Sequence, residues 1–471
     1  MHHKLISIVT ALCVIATTAP DCPGKPNLLL ITVDDMNFDS VGAFGCRVEG
    51  ITPHIDRLAE QGMCFDRGFV TVAICHPTRA VWMTGRYPQR NGAMGFDPIN
   101  ADVPSLPEAM KAGGYYIAML GKESHTVPSR HHAFDTIKEP KVLGMGRDPA
   151  LYAAEFRTVI ASAKAAGKPF LMIANSLDPH RPFAGSDQEK WRPRPTTRRT
   201  IRPDEVQVPT FLPDLPQIRR EIAEYFTSVH RADEMVGAML AELERAGLTD
   251  ETLVMFMSDH GMPLPFAKTN CYEHSTRTPW IVRWPGVVKP GSRDNKHFVS
   301  GIDVAPTLLD AAGLAPLPGA DGSSIVPLMK GGTTEGRNRV FTMIERLSNQ
   351  ASYPMRAVRD ERYLYIWNGW ADGTRVFMNE SQRGRTMSAM REAAKENPEI
   401  AKRVSFFLHR CTEELYDIQN DPDCLNNLIG LEGNPMGPVA SAMTKQLWHW
   451  MKETNDPQLG HFEKQVELAL D

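Results

Sequence analysis

The sequence has no long apolar run beyond its N-terminal segment, which argues against a membrane-spanning helix in the remainder of the chain. Its formal net charge is only −4, so it lacks the positive excess that draws proteins to nucleic acid or acidic membranes. It contains no CxxC pair of the kind that ligates zinc, and no internal repeat. What remains is a globular composition over 471 residues, long enough for a large core and a second, smaller unit.

The first twenty residues differ from the rest. Lys4 precedes an apolar run over residues 5–16, and small residues follow before Pro20. This pattern predicts a signal peptide over residues 1–20, with a buried N-terminal strand as the alternative. We therefore expect an exported protein, periplasmic or extracellular, or one in a lysosome-like compartment if the source is eukaryotic. Of the eight cysteines, Cys411 and Cys424 are the nearest candidates for a disulfide in such a compartment.

Four short apolar runs share one design, "PNLLLITVDDM", "GYYIAMLGKESH", "KPFLMIANSLDPH" and "DETLVMFMSDH". They are apolar on both faces, as buried parallel strands are, and helical patterns separate them. The fold class predicted is α/β, with a large, mostly parallel sheet sandwiched by helices. Ligands bind beyond the carboxyl ends of such strands. Those ends carry Asp34 and Asp35, then Lys122 and His125, then Asp178 and His180, then Asp259 and His260.

The C-terminal part reads differently. We predict a catalytic α/β domain over residues 25–337 and an α+β subdomain over residues 338–471, in which alternating strands form an antiparallel sheet before a terminal helix. Residues 191–203, "WRPRPTTRRTIRP", are rich in arginine and proline. This loop is either a solvated crossing or a basic rim for a polyanionic substrate.

Two features near the strand ends suggest a reaction centre. Asp34, Asp35 and Asp259 offer the hard oxygen donors that Ca²⁺ or Mg²⁺ prefers, although an Asp-Asp pair alone is more often a helix cap or a solvated loop. His260 could add an imidazole nitrogen. Cys75 precedes a predicted helix start, where backbone N–H groups attract anions and favour an ionised thiol.

The motif "CHPTR", followed by "MTGRYP", resembles the active-site signature of the sulfatase family, within the alkaline phosphatase superfamily. The segments "VDDM", "TPHIDRLAEQG", "GKESH", "DPH", "SDHG" and "ELYDIQNDP" follow in that family's order. The resemblance runs from about residue 26 to residue 455. Within the family, "SDHGMPLPFAKTNCY", "SYPMRAV" and "ETNDP" are most similar to the sulfamidase, or heparan N-sulfatase, branch.

This resemblance implies that a formylglycine-generating enzyme oxidises Cys75 to formylglycine during maturation. The hydrated aldehyde then supplies the nucleophile that attacks sulfur. The metal, Ca²⁺ or alternatively Mg²⁺, is implied to be held by Asp34, Asp35, Asp259 and His260, together with the modified Cys75. Many relatives carry Asn in place of His260, although the histidine form also occurs.

The resemblance also implies roles for the surrounding cations and imidazoles. Arg79 orients the modified residue, and Lys122 and Lys268 bind sulfate oxygens. His180 is the general acid toward the leaving group, and His125 is the base that helps to release sulfate. In "GKESH" two residues separate the lysine from the histidine, where many relatives have one, so His131 and His132 compete with His125 for this role. We also expect Arg356 to bind a substrate carboxylate.

The function predicted is hydrolysis of a sulfuric ester or sulfamate on a sulfated saccharide or polysaccharide, with a sulfated amino sugar favoured. The alternatives are a polysaccharide O-sulfatase, a phosphoester or phosphonate hydrolase of the same superfamily, and an inactive glycan-binding protein. Neither a nucleic acid nor a membrane span is expected among its partners, and the sequence does not indicate an oligomeric state.

Overall fold

A computed structural model describes residues 24–126, 129–189, 195, 197–433 and 435–466. The predicted signal peptide lies outside these residues, as does much of the first half of the basic segment 191–203. In the second half of that segment, Arg199 and Arg202 form ion pairs with Glu205. Across the described residues, no helix combines the length and the apolar character needed to cross a membrane.

The strands form one large sheet and two smaller ones. In chain order they are β1 (Asn27–Asp34), β2 (Met63–Phe65), β3 (Gly68–Phe69), β4 (Tyr116–Leu120), β5 (Thr136–Lys138), β6 (Phe170–Pro179), β7 (Thr252–Ser258), β8 (Trp280–Arg283), β9 (Ser292–Asp294), β10 (Val299–Ser300), β11 (Val340–Arg346), β12 (Ser352–Arg359), β13 (Tyr363–Asn368) and β14 (Glu413–Asp417). The large sheet has eight strands in the order β5-β4-β6-β1-β7-β8-β2-β9. β3 and β10 form a two-stranded sheet, and β11–β14 form the third.

The four apolar runs predicted as strands are β1, β4, β6 and β7. They lie side by side as β4-β6-β1-β7, and every neighbouring pair among them is parallel. Their carboxyl ends therefore share one edge of the sheet, as the sequence predicts. Only β8 breaks the parallel order within the centre, since it runs antiparallel to both β7 and β2. The predicted α/β class is confirmed.

The described residues form fourteen α-helices. They are α1 (Pro53–Glu60), α2 (Cys75–Thr84), α3 (Pro88–Asn91), α4 (Leu106–Ala112), α5 (Glu123–Thr126), α6 (Pro149–Ala165), α7 (Pro216–Arg245), α8 (Glu273–Thr276), α9 (Val304–Ala311), α10 (Val326–Met329), α11 (Arg385–Ala393), α12 (Pro398–His409), α13 (Gly437–Glu453) and α14 (Leu459–Gln465). Alternate residues of β1 point to opposite faces. Leu29 and Ile31 belong to the buried cluster that contains α7, whereas Leu28 and Leu30 belong to the cluster that contains α2 and α9.

The C-terminal sheet is antiparallel in the order β11-β12-β13-β14, as predicted. Two helices, α11 and α12, interrupt it between β13 and β14, and the alternating pattern gave no indication of them. The division of the chain at residue 338 stays a prediction. The candidate disulfide between Cys411 and Cys424 does not form, since both are free thiols. Cys411 Sγ instead lies 3.2 Å from the Glu413 carbonyl.

Arg356 lies at the centre of this subdomain, fully buried on β12. Its guanidinium donates to both carboxylate oxygens of Asp456, at 2.6 and 2.9 Å, and to Glu345 at 2.7 Å. A third nitrogen donates to the Ile344 carbonyl at 2.8 Å. Arg356 thus ties the terminal segment after α13 to the sheet.

We predict that Arg356→Ala lowers the free energy of unfolding by about 3–5 kcal/mol, because it leaves buried carboxylates without a counter-charge. Urea unfolding followed by tryptophan fluorescence measures the change. Arg362→Ala is the matched control, since that side chain is half exposed and pairs with Asp417 on the surface. Its cost is at most about 1 kcal/mol. Equal costs for the two variants would show that Arg356 does not stabilise the subdomain in this way.

Candidate active site

Three carboxylates meet where β1 and β7 end. Asp34 is the last residue of β1, Asp35 follows it with φ of 70°, and Asp259 follows β7. The Asp259 amide donates to the Val33 carbonyl at 3.1 Å, and the Asp35 amide donates to Asp259 Oδ1 at 3.0 Å. All three side chains are fully buried. Strand pairing therefore fixes the carboxylates at one point, beneath the sheet edge.

Cys75 joins this cluster from helix α2. It is the first residue of α2 and is 4% exposed. Ligand atoms of Asp34, Cys75, Asp259 and His260 all lie within 4.8 Å of one another. Burial and the Asp34 charge oppose ionisation of the thiol, but Lys268 and Lys122 outweigh them and lower the pKa of Cys75.

The residues present fit a hard divalent cation. Asp34 Oδ1 is buried and accepts no hydrogen bond within the described part of the chain. Burial and the neighbouring Asp34 charge raise the pKa of Asp259 to about 7. A cation between these groups would offset that repulsion, and the carboxylate oxygens suit Ca²⁺ or Mg²⁺. Asp35 lies slightly apart, with Oδ1 3.3 Å from His260 Nε2.

Arg79, in the second turn of α2, contacts one of these carboxylates and the strands that carry the site. It is fully buried and donates to Asp259 Oδ2 at 2.9 Å, to Asn175 Oδ1 at 2.6 Å and to Thr32 Oγ1 at 3.0 Å. These bonds lock the Asp259 carboxylate and connect α2 to β1 and β6. Thr32 and Asn175 were not predicted, because a polar residue inside a buried strand has no distinctive sequence pattern.

Two buried lysines bring positive charge to the same point. Lys122, just after β4, forms an ion pair with Asp34, and Lys268 lies 2.9 Å from Asp35 Oδ1. Burial alone would lower the pKa of Lys122, but the Asp34 carboxylate outweighs it and raises that pKa. The pKa of Lys268 is also raised, by Asp35 and Glu380 against burial. Both side chains therefore remain cationic.

The histidines differ in charge because their surroundings differ. Burial and the Lys122 ammonium, whose Nζ is 3.4 Å from Nδ1, lower the pKa of His125 to about 3, so this imidazole is neutral. Burial and Lys268 would lower the pKa of His180 too, but Asp35, Asp34 and Glu380 outweigh them and raise it. His180 therefore favours the protonated form.

His180 is held at both ring nitrogens. Nδ1 lies 2.6 Å from the Arg181 carbonyl, and Nε2 lies 3.2 Å from Glu380 Oε1 and 3.9 Å from Asp35 Oδ2. His131 and His132, which competed with His125 at the sequence level, are exposed, and His132 pairs with Glu108 at 3.2 Å. The structure thus brings His125 to the cluster, rather than either neighbour.

A cleft of about 1070 Å³ opens above Cys75. Of the predicted residues, Cys75, His180 and Lys268 line it. Its outer wall comes from loops, from the segment before α11 and from α11 itself, with lining residues Phe96, Arg181, Leu347, Asn349, Met378, Glu380, Gln382, Arg383 and Arg391. The volume and the mixed polar and apolar lining suit a small-molecule ligand.

Two residues depart from the sequence-level expectation. Arg356, expected to meet a substrate carboxylate, does not lie with the others, because its donors are occupied by Asp456 and Glu345 inside the C-terminal subdomain. Glu380 was not anticipated, yet it lies 3.0 Å from Lys268 Nζ. Nothing in the sequence around Glu380 marks it, since only the folded C-terminal segment brings it to the cleft.

Comparison with known proteins identifies the family. A family model described as "Sulfatase" matches residues 26–314, more than half of the chain. A second, described as "N-sulphoglucosamine sulphohydrolase, C-terminal", matches residues 259–375. The chain belongs to the sulfatase family.

Its relatives include sulfatases of different substrate class. An ulvan-active sulfatase of Formosa agariphila is 29% identical over 450 residues, covering 92% of this chain and 81% of the relative. The N-sulphoglucosamine sulphohydrolase of Homo sapiens is 29% identical over 488 residues, covering 95% of this chain and 94% of the relative.

Solved structures share the fold. One, of a protein in complex with its substrate D-glucosamine-2-N,6-O-disulfate, has a TM-score of 0.69 at 19% identity and covers 92% of this chain and 99% of its own. Another, the phosphonate monoester hydrolase of Agrobacterium radiobacter, has a TM-score of 0.68 at 20% identity and covers 91% and 96%. At these identities the likeness establishes the fold alone.

We predict that the protein binds one divalent cation and that Asp259→Asn weakens this binding at least about tenfold, because it removes one of the converging charges. Titration calorimetry with Ca²⁺ and with Mg²⁺ measures the affinity. Asp204→Asn is the control, since that carboxylate is exposed and pairs with Arg202 on the surface. Unchanged affinity in the Asp259 variant would place the cation elsewhere.

Proposed function

We propose that this member of the sulfatase family hydrolyses a sulfate group from a sulfated saccharide, with residue 75, matured to formylglycine, as its nucleophile. The observation that carries the proposal is the position of Cys75 between buried carboxylates and the two ammonium groups of Lys122 and Lys268. A thiol that served only in packing would need neither the carboxylates nor the ammonium groups. An inactive glycan-binding protein would likewise have no need for this buried charge.

Asp34, Asp35, Asp259 and His260 would hold the metal, which we propose to be Ca²⁺ with Mg²⁺ as the alternative. When bound, such a cation supplies positive charge that makes an adjacent hydroxyl more acidic and more nucleophilic. Maturation requires a formylglycine-generating enzyme as a partner. The hydrated aldehyde it leaves at position 75 would supply that hydroxyl.

The chain's own cations would hold the sulfate. Lys122 and Lys268 remain charged and fixed by Asp34 and Asp35, so they would bind sulfate oxygens without having to reorganise as charge moves to the leaving group. Arg79 contacts Asp259 rather than the cleft, so its role would be to orient the carboxylates and the residue above them.

The two histidines would move protons in opposite directions. His180, protonated and lining the cleft, would donate from Nε2 to the departing nitrogen or oxygen. His125, neutral beside Lys122, would accept a proton when sulfate is released, and the arriving anion would raise its basicity. In the overall reaction water adds across the S–N or S–O bond, giving hydrogen sulfate and a free amine or alcohol.

A sulfated amino sugar is the favoured substrate. The support is the match of residues 259–375 to the sulphohydrolase C-terminal model and the near full-length similarity to the human N-sulphoglucosamine sulphohydrolase. The ulvan-active relatives keep a polysaccharide O-sulfate as the second candidate. Because a phosphonate hydrolase shares the fold, phosphoesters are the third. The N-terminal pattern supports export to the periplasm, the extracellular space or a lysosome-like compartment.

We predict that protein coexpressed with a formylglycine-generating enzyme carries an aldehyde at residue 75 and releases sulfate from N-sulfoglucosamine. Mass spectrometry of the peptide around residue 75 detects the modification, and ion chromatography measures sulfate. Cys75→Ala lowers the rate by about 10⁴-fold or more, whereas Cys46→Ala, a thiol outside the cluster, leaves it unchanged.

The same protein is assayed with a matched aryl sulfate and aryl phosphate. Faster turnover of the phosphate would favour the phosphoester hydrolase instead. A thiol at residue 75 in the coexpressed protein, with saccharide binding but no sulfate release, would favour the inactive glycan-binding protein.

A further inference from the structure

Glu380 bridges the two cationic groups that face the cleft. Its Oε1 lies 3.2 Å from His180 Nε2, and its Oε2 lies 3.0 Å from Lys268 Nζ. We propose that Glu380 is a substrate-binding residue that accepts the N–H of a sulfamate, and thereby selects N-sulfate over O-sulfate. This inference rests on the proposed function, which it deepens.

The position of Glu380 is built into the fold. The preceding Asn379 donates to the Lys268 carbonyl at 3.3 Å, and Ser381 donates to Asn379 at 2.7 Å. On the other side, the Arg385 amide, five residues after Glu380, donates to Glu221 of α7 at 3.1 Å. The segment before α11 is thus anchored to the catalytic domain on both sides of Glu380.

The carboxylate faces the cleft and is not sealed in the protein. The Glu380 side chain is 36% exposed, whereas that of Lys268 is 3% exposed. Lys268 and His180 share Asp35 as a second carboxylate neighbour, so Glu380 is not the sole counter-charge of either cation. Its exposure leaves it open to a substrate.

Its charge is unfavourable for sulfate in general, because two anions at close range repel each other. A hydrogen-bond donor on the substrate at that position makes its interaction with Glu380 favourable instead. The bridging nitrogen of R–NH–SO₃⁻ carries a hydrogen, whereas the bridging oxygen of R–O–SO₃⁻ carries none. Only the sulfamate can therefore donate to a carboxylate from the atom that leaves sulfur.

A shared neighbour brings that donor toward Glu380. In the proposed mechanism His180 Nε2 protonates the bridging atom, so this atom comes within hydrogen-bond reach of Nε2. Glu380 Oε1 lies 3.2 Å from the same nitrogen, so Glu380 and the bridging atom are both neighbours of His180 Nε2. A site built to bond a substrate N–H rejects the analogue that lacks it, because its own acceptor is left unpaired.

The experiment compares three substrates with the matured enzyme: N-sulfoglucosamine, glucosamine 6-O-sulfate and 4-nitrophenyl sulfate. Relative to the aryl sulfate, Glu380→Ala is expected to lower kcat/KM for N-sulfoglucosamine by about 10- to 100-fold. Glu380→Gln keeps an acceptor oxygen and is expected to recover part of this loss. Glu399→Ala is the matched control, since it breaks an exposed Glu–Lys pair with Lys402 in the same subdomain.

Equal losses of kcat/KM on the sulfamate and the aryl sulfate would overturn the inference, because they would mean that Glu380 acts only through His180 and Lys268. An equal loss on the 6-O-sulfate would overturn it as well, by assigning Glu380 to a sugar hydroxyl. If the matured enzyme with its natural Glu380 cleaves the aryl sulfate but not N-sulfoglucosamine, the selectivity assigned to Glu380 is contradicted while the sulfatase activity stands. Cleavage of none of the three would contradict the proposed function itself.

Discussion

Asp34 and Asp259 end neighbouring parallel strands, and their carboxylates lie fully buried at one sheet edge. Two such charges are unfavourable together unless positive charge surrounds them. Lys122, just after β4, forms an ion pair with Asp34, and Arg79 of α2 forms one with Asp259. A cation between the two carboxylates would meet the same requirement.

Two imidazoles with the same intrinsic chemistry favour opposite protonation states here. His125 is half-buried beside an ammonium, which favours its neutral form, whereas His180 has carboxylates of Asp35 and Glu380 within reach of Nε2. Pairs of titratable groups pushed in opposite directions are typical of sites that move protons. The contrast comes from the surroundings, so inspecting either histidine in the sequence would not reveal it.

Much of the catalytic half could be predicted because its signals are local. Apolar runs on both faces mark β1, β4, β6 and β7, and parallel strands bring their carboxyl ends together whatever the intervening loops do. The sequence predicts a helix start just after Cys75, and α2 begins at Cys75 itself. The roles assigned to these residues remain proposals, although their convergence is a property of the fold.

The C-terminal half was harder to predict because its contacts join distant segments. The sequence favours a substrate-binding role for Arg356, yet its guanidinium forms an ion pair with Asp456, from the segment after α13. Glu380 has no local pattern, and α11 and α12 were missed between two strands. The misses at Arg356 and Glu380 have one cause, since a charged side chain's partner is set by tertiary packing and not by its neighbours in sequence.

The most direct test is a crystal structure of the matured protein with Ca²⁺, in which anomalous scattering locates the ion. The account predicts one ion about 2.3–2.6 Å from carboxylate oxygens of Asp34 and Asp259 and in contact with the side chain of residue 75. An ion bound elsewhere, or residue 75 outside the ion's coordination shell, would contradict it.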